Sequence, residues 1–170
     1  MVEEIRQTEA LTDEETAQLF GWGENIFGEE PHKLSWRPKD LHFVMYSDGR
    51  PVSYVGILKD SVFVNGEPVA VGGVGGVVTV PEEQQKGCAR RLMQHAGRFL
   101  ESEWKVDAGF LFCLSRLMPY YGRLGWQEVQ YPVLIEQPGG EIVSPMRVMT
   151  LPFGGRDWPA GNIELRSLPW

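Results

Sequence analysis

The residues of this chain whose types and spacing could do chemistry lie mainly in one run. It reads Val77-Val78-Thr79-Val80-Pro81-Glu82-Glu83-Gln84-Gln85-Lys86-Gly87-Cys88-Ala89, where a strand ends, a loop turns and a helix begins. A helix start leaves several backbone N–H groups unpaired and carries partial positive charge, so main chain alone can bind a diphosphate there. Bulky side chains would obstruct that approach. Gly87 and Ala89 place small residues at alternate positions of the first turn, and Lys86 and Arg90 add countercharge. Basic residues on a helix are more often a solvated face than a ligand site, and this loop position leaves the two readings of Lys86 and Arg90 evenly balanced.

The elements that must position this run follow from hydrophobic period and turn chemistry. A short strand near Ile5 precedes a helix whose start, Thr12-Asp13-Glu14-Glu15, has the Thr and Glu of a capping box. Residues 42–46 and 51–58 are expected as strands joined at Asp48-Gly49, because Asp-Gly accepts the positive φ of a tight hairpin. A second turn at Asn65-Gly66 links strands over residues 61–64 and 69–80. Over residues 86–104 the period lengthens to that of a helix. Leu92, Met93, Ala96 and Leu100 fall on one side, and Arg90, Arg91, Gln94 and Arg98 on the other, with His95 on the polar side. A buried strand over 108–114, a short helix over 117–124, and strands over 126–129 and 146–151 complete the pattern. The tail, 152–170, is rich in Pro, Gly and Trp. The expected order is β-α-β-β-β-α-β-α-β-β, an α+β class in one domain spanning 1–170.

Gln84-x-x-Gly87-x-Ala89 after a Val-Pro strand end resembles the Q/R-x-x-G-x-G/A motif of the GCN5-related N-acetyltransferases (GNAT). Downstream, after a helix and a strand, Pro119-Tyr120-Tyr121-Gly122-Arg123-Leu124-Gly125-Trp126 is similar to that family's second signature, an aromatic-Tyr pair followed by Gly and an aromatic residue. The resemblance implies a GNAT fold, with a mixed, largely antiparallel central sheet of about seven strands and about four flanking helices. It implies acetyl-CoA as cofactor. Val77, Val78 and Thr79 would pair with the pantetheine arm, and main chain from Gln84 through Gln85, Lys86, Gly87 and Cys88 to Ala89 would hold the pyrophosphate, with Arg90 beside it. The implied reaction is direct transfer, an amine attacking the thioester carbonyl and thiolate departing. Tyr121 falls at the family's general-acid position, and a phenol is protonated at neutral pH and can donate to a developing thiolate.

A narrower resemblance lies in the tail. Asp157-Trp158-Pro159-Ala160-Gly161 is similar to a motif of the aminoglycoside 2'-N-acetyltransferases and the nodulation N-acyltransferases, and the former end on Trp, as here at Trp170. In the first group a glutamate precedes the Val-rich strand end, where this chain has Gly75. Gly75, Trp36 and Trp170 are therefore the candidate substrate residues, and the base is open among His32, His42, Glu29, Glu30, Ser115 and the carboxylate of Trp170. The glycines from Gly72 to Gly76 either form a bulged strand or leave space for a substrate.

Bulk properties narrow the partners. The formal net charge of -7 argues against attraction to nucleic acid or anionic lipid and suits a small cationic amine. An amino sugar or aminoglycoside is the leading acceptor. A protein or peptide acetyltransferase and a non-catalytic acyl-CoA-binding module are the alternatives, and the oligomeric state stays open, a homodimer included. Only Cys88 and Cys113 occur, without ligand spacing, so each reads as a packing residue and no metal is expected. Met1-Val2-Glu3-Glu4 lacks the basic start and apolar run of a secretory signal, so a cytoplasmic location is expected.

Overall fold

The computed structural model describes residues 2–28 and 33–170. Glu29, Glu30 and His32, three of the base candidates, lie outside the described residues. In chain order the elements are β1 (Glu3–Thr8), α1 (Asp13–Phe20), β2 (Leu41–Ser47), β3 (Arg50–Val64), β4 (Glu67–Thr79), α2 (Cys88–Ser102), β5 (Ala108–Cys113) and α3 (Met118–Arg123). There follow β6 (Gln127–Glu128), β7 (Val133–Gln137), β8 (Gly140–Val143), β9 (Arg147–Pro152) and β10 (Ile163–Glu164). Short 3-10 turns at Pro81–Glu83 and Ser115–Leu117 precede α2 and α3.

The strands form one sheet in the order β6-β9-β5-β4-β3-β10-β7-β8, with β2 and then β1 on β3. The length of β3 explains this branching. At 15 residues it offers one edge to β4 and still has room on the other for β2 along residues 50–57 and β10 at Phe63 and Val64. Residues 51–58 and 61–64 are thus one strand, because Lys59 and Asp60 continue the ladder against Gly72 and Val71. The β7–β8 hairpin and β10 add strands beyond the number expected. Ile135, Ile163 and Leu165 are almost fully buried there, so the tail closes the far half of the sheet.

Two packing features fix the region of interest. α2 buries Cys88, Leu92, Met93, Ala96 and Leu100 against the sheet, and Gly72 lies directly beneath Leu100, where a side chain would collide. His95, expected to be exposed, is half-buried and meets Phe43 edge-on at 4.9 Å, because it flanks the buried Ala96. At the N-terminal end of the chain the capping box forms: Glu15 N–H donates to Thr12 Oγ1 at 3.1 Å and Thr12 N–H to Glu15 Oε1 at 2.8 Å. No helix among the described residues is long and apolar enough to cross a membrane.

Candidate active site

The site begins where β4 and β5 part. They pair in parallel only from Val71 to Val74 against Ala108 to Leu111, while β4 continues to Thr79 with β3 alone. A bulge in the β3–β4 ladder sets Gly76 and Val77 against Val55, with Gly76 at φ +67, a left-handed conformation that glycine adopts without strain. Beyond the bulge, Ser53 Oγ donates to the Val78 carbonyl at 3.0 Å and Val80 N–H to the Val52 carbonyl at 2.9 Å. Main-chain groups alternate along a strand, so Val77 and Thr79 turn theirs to the open edge. The Gln84 side-chain amide donates to the Thr79 carbonyl at 3.0 Å, which ties the loop to that edge.

The loop then presents amides. Gln85 (φ +64) and Gly87 (φ +81) are both left-handed, and Gly87 is the N-cap of α2. The first amide to enter the helix ladder is that of Arg91, bonded to the Gly87 carbonyl at 3.1 Å, which leaves the amides from Gln85 to Arg90 outside it. A cavity of about 550 Å³ opens over this turn, walled by the β4 end from Val77 to Thr79, by Glu83, Gln84, Gln85 and the residues from Gly87 to Arg90, and by Leu117, Tyr120 and Tyr121. The two basic candidates now separate. Lys86 is absent from the lining and its ammonium pairs with Glu83 at 3.2 Å, whereas Arg90 is exposed and makes no ion pair among the described residues. Arg91 is committed elsewhere, to Glu3 at 2.8 Å and the Lys86 carbonyl at 3.1 Å. Cys88 is buried, and burial pushes its thiol up, away from the reactive thiolate.

Tyr121 stands between this cavity and a second one. The second, of about 250 Å³, shares Val77, Leu117 and Tyr121 with the first. Tyr121 is 7% exposed, and its hydroxyl has no hydrogen-bond partner among the described residues. Burial, reinforced by Cys113 and Tyr120 nearby, raises the phenol well above its ordinary value, so it carries its proton across the whole working range of pH. α3 holds it in place: the Tyr121 carbonyl accepts from Leu124 and Trp126 N–H at 3.0 and 3.1 Å. Trp126 packs over Gly109, where any Cβ would meet the indole at 2.7 Å.

The second cavity brings together Gly75, Trp36, Trp170 and Tyr121 from four distant places in the chain. Trp170 is 2% exposed. Its indole N–H donates to the Phe110 carbonyl at 2.9 Å, and the ring sits on Gly73. The missing glutamate has a steric reason. A Cβ at Gly75 would meet Lys39 Cε at 2.8 Å and the carbonyl carbon of Trp170 at 3.2 Å, so those two residues fill the space of a side chain. The bulged-strand reading of the glycine run holds at Gly76, and Gly72 and Gly73 admit Leu100 and Trp170 instead of side chains of their own.

Of the remaining base candidates, Trp170 lines this cavity, with its carboxyl carbon 3.2 Å from the place of a Gly75 Cβ, whereas His42 and Ser115 do not. His42 lies outside its lining and Nδ1 pairs with the Tyr54 hydroxyl at 2.6 Å; burial and Lys39 lower its tendency to protonate. Ser115 lines a separate groove that runs past Tyr131 and touches the cavity only at Met146. No local pattern marked Lys39, Phe112 or Met146 as lining, nor the residue that holds Trp36. The Gln137 side chain accepts from Ser35 N–H at 2.9 Å and donates to the Ser35 carbonyl at 3.0 Å, clamping the residue before Trp36 across more than a hundred positions. Arg37 N–H adds a bond to the Pro169 carbonyl at 2.8 Å, and Trp36 meets Phe112 edge-on at 6.1 Å.

A splayed strand pair, a bulge, and a helix start facing the gap define an acyl-CoA-type transferase fold. The comparisons with known proteins agree. A profile of the Acetyltransferase (GNAT) domain matches residues 7–129, most of the chain, and the protein belongs to that family. Its fold is shared with a GNAT family acetyltransferase from Brucella melitensis solved with acetyl-CoA, at 17% identity and TM-score 0.57 over 95% of this chain and 94% of that one. The N-acetyltransferase YhbS from Escherichia coli, solved with CoA, matches at 16% identity and TM-score 0.61 over 96% and 89%. An acyl-CoA N-acyltransferase from Pseudomonas aeruginosa matches at 22% and 0.59 over 88% and 99%. No curated protein matches the sequence.

Proposed function

We propose that this chain transfers an acetyl group from acetyl-CoA to a primary amine, with Tyr121 donating to the departing sulfur. The observation that carries this reading is the position of Tyr121: one phenol, with no hydrogen-bond partner among the described residues, on the wall common to the two cavities, one of which opens on the α2 start. The residues present fit the cofactor. The β4 edge, where the Gln84 amide occupies the Thr79 carbonyl and the Val77 groups and the Thr79 N–H face the gap, suits the amides of a pantetheine arm, and the amides from Gln85 to Arg90 with the Arg90 guanidinium suit a diphosphate. When bound, the cofactor supplies an activated acyl group as a thioester.

The chain's own contribution is positional and electrostatic. Because burial raises the phenol, complete proton transfer to a thiolate is uphill, and Tyr121 acts chiefly by a hydrogen bond to the charge that develops on sulfur. Overall, the amine nitrogen loses one proton and the sulfur gains one. The carboxyl group of Trp170, beside Gly75 on the wall of the second cavity, is the described base candidate placed to take the amine proton, directly or through water.

The tail motif favours an amino sugar or aminoglycoside as the acceptor. The groove of about 450 Å³ beside Met146 supports a peptide acceptor as a second reading. Steady-state release of thiol across a panel of amines tests the proposal. Turnover with at least one primary amine is expected; a chain that binds CoA and releases no thiol with any amine is a binding module.

A further inference from the structure

The cavity of about 250 Å³ beside Tyr121 contains a primary amine of the protein's own, that of Lys39. The other lysines, Lys33, Lys59, Lys86 and Lys105, are exposed and line neither this cavity nor the one over the α2 start. Two glycines give Lys39 its place. Gly56 and Gly75 face each other across the β3–β4 ladder, and the Lys39 side chain lies across the pair. A Cβ at Gly56 would meet the Lys39 Cβ at 3.0 Å and overlap its Cγ, and one at Gly75 would meet Cε at 2.8 Å and Nζ at 3.2 Å. The neighbouring backbone is fixed as well, since Asp40 N–H donates to the Ile57 carbonyl at 2.9 Å. The aliphatic stem thus rests on bare sheet and carries its nitrogen to the cavity wall.

We propose that Lys39 is a self-acetylation site, whose Nζ takes the acetyl group of bound acetyl-CoA when no acceptor is present. This rests on the acetyltransferase reading above and adds a second destination for the acetyl group. Val77, at the strand edge assigned to the pantetheine arm, follows Gly75 by two residues, ~7 Å at a strand's rise, and lines the same cavity as Lys39 and Tyr121. An amine and a thioester held in one small space react as if at high concentration. The deprotonated Nζ attacks the thioester carbonyl carbon, a C–N bond replaces the C–S bond, and the products are N-acetyl-Lys39 and the thiol of CoA. Of the two protons that the ammonium gives up, one ends on sulfur and one in water. The amide has no charge and takes up space beside Gly75, so it narrows the cavity that an added amine must enter.

The test uses the full chain with acetyl-CoA and no acceptor, followed by peptide-mapping mass spectrometry. Lys39 should be acetylated about tenfold or more faster than each of Lys33, Lys59, Lys86 and Lys105; labelling that follows exposure, with Lys39 no faster than the others, overturns the proposal. The rate constant at Lys39 should not depend on protein concentration, and one that rises with it means transfer between molecules, which overturns it too. Excess CoA should suppress the label at Lys39 and leave the exposed lysines as they were, whereas a label at Lys39 indifferent to CoA comes from acetyl-CoA in solution and contradicts the assignment. Thiol release with added primary amines separates this proposal from the reading it rests on. If Lys39 is labelled selectively and no added amine is turned over, the reading of an external acceptor fails and the Lys39 assignment stands. If added amines are turned over and Lys39 stays unlabelled, the Lys39 assignment fails and the transferase reading stands.

Discussion

The cavity proposed for the cofactor draws most of its wall from residues 77–90, whereas the cavity proposed for the acceptor is assembled from segments scattered between Phe27 and Trp170. The first presents main chain: an open strand edge, two left-handed residues and a helix start. The second works through side chains that meet only because the sheet, the β7–β8 hairpin and the tail fold around them. A main-chain site constrains its sequence locally, through small residues and a turn. A side-chain site leaves its requirements spread along the chain.

Substitutions on the two sides should therefore separate cleanly in kinetics. The largest effect belongs to Tyr121, one of the residues both sides share. Tyr121→Phe should lower kcat about a hundred- to ten-thousandfold in thiol-release assays while leaving the dissociation constant for CoA unchanged. The raised phenol gives a companion expectation in pH. Turnover should climb as the acceptor amine loses its proton and show no decline from Tyr121 up to about pH 10, where an ordinary tyrosine would ionise. Gly87→Glu comes next, because it sets a carboxylate against the diphosphate at a left-handed position. CoA affinity measured by calorimetry should fall about a hundredfold or more, equivalent to ~2.8 kcal/mol, with a thermal melt to confirm that the variant is folded.

Smaller effects sharpen the contrast. Arg90→Ala should weaken CoA about tenfold, the worth of a hydrogen bond to a charged group. Lys86→Ala should change it far less, because that ammonium already belongs to Glu83. On the acceptor side, Gln137→Ala removes both bonds to Ser35 and frees Trp36. The acceptor KM should rise about three- to tenfold, with CoA affinity untouched.

The smallest effect on turnover is expected at Glu15, which lines neither cavity. Its burial would raise the carboxyl, but hydrogen bonds from Arg6, Thr12 N–H and Tyr46 outweigh that and hold it down at about 2. Stabilisation by Glu15 is thus complete above the unfolded value of about 4.3 and is lost as pH falls toward 2. Glu15→Gln should cost about 1–3 kcal/mol in denaturant melts at pH 7 and progressively less below pH 4.

What the sequence disclosed follows the same division. Gly87, Ala89 and the strand end at Thr79 were legible because a helix start that grips a phosphate needs small residues in a fixed order, and Tyr121 followed from a second motif at the right distance. The α2 stripe and the hairpin turns were legible for equally local reasons. The acceptor wall was not. Trp36 and Trp170 came forward only through resemblance, and nothing local distinguishes Lys39, Met146 or Gln137 from ordinary surface or core residues. Gly75 shows the limit plainly: its meaning lies in Lys39 and Trp170, which occupy the place a glutamate would need. The β7–β8 hairpin did leave a signal in Pro138-Gly139-Gly140 between apolar runs, while β10, two residues long, has no pattern of its own.

The most direct test of the account is backbone amide hydrogen exchange with and without CoA. The amides of Val77 and Thr79 and those from Gln85 to Arg90 should gain protection on binding, while the buried middle of α2 around Leu92 and Ala96 should not change. Protection confined to other surfaces, with the α2 start exchanging as fast with CoA as without it, would contradict the claim that this turn grips the cofactor and aims it at Tyr121.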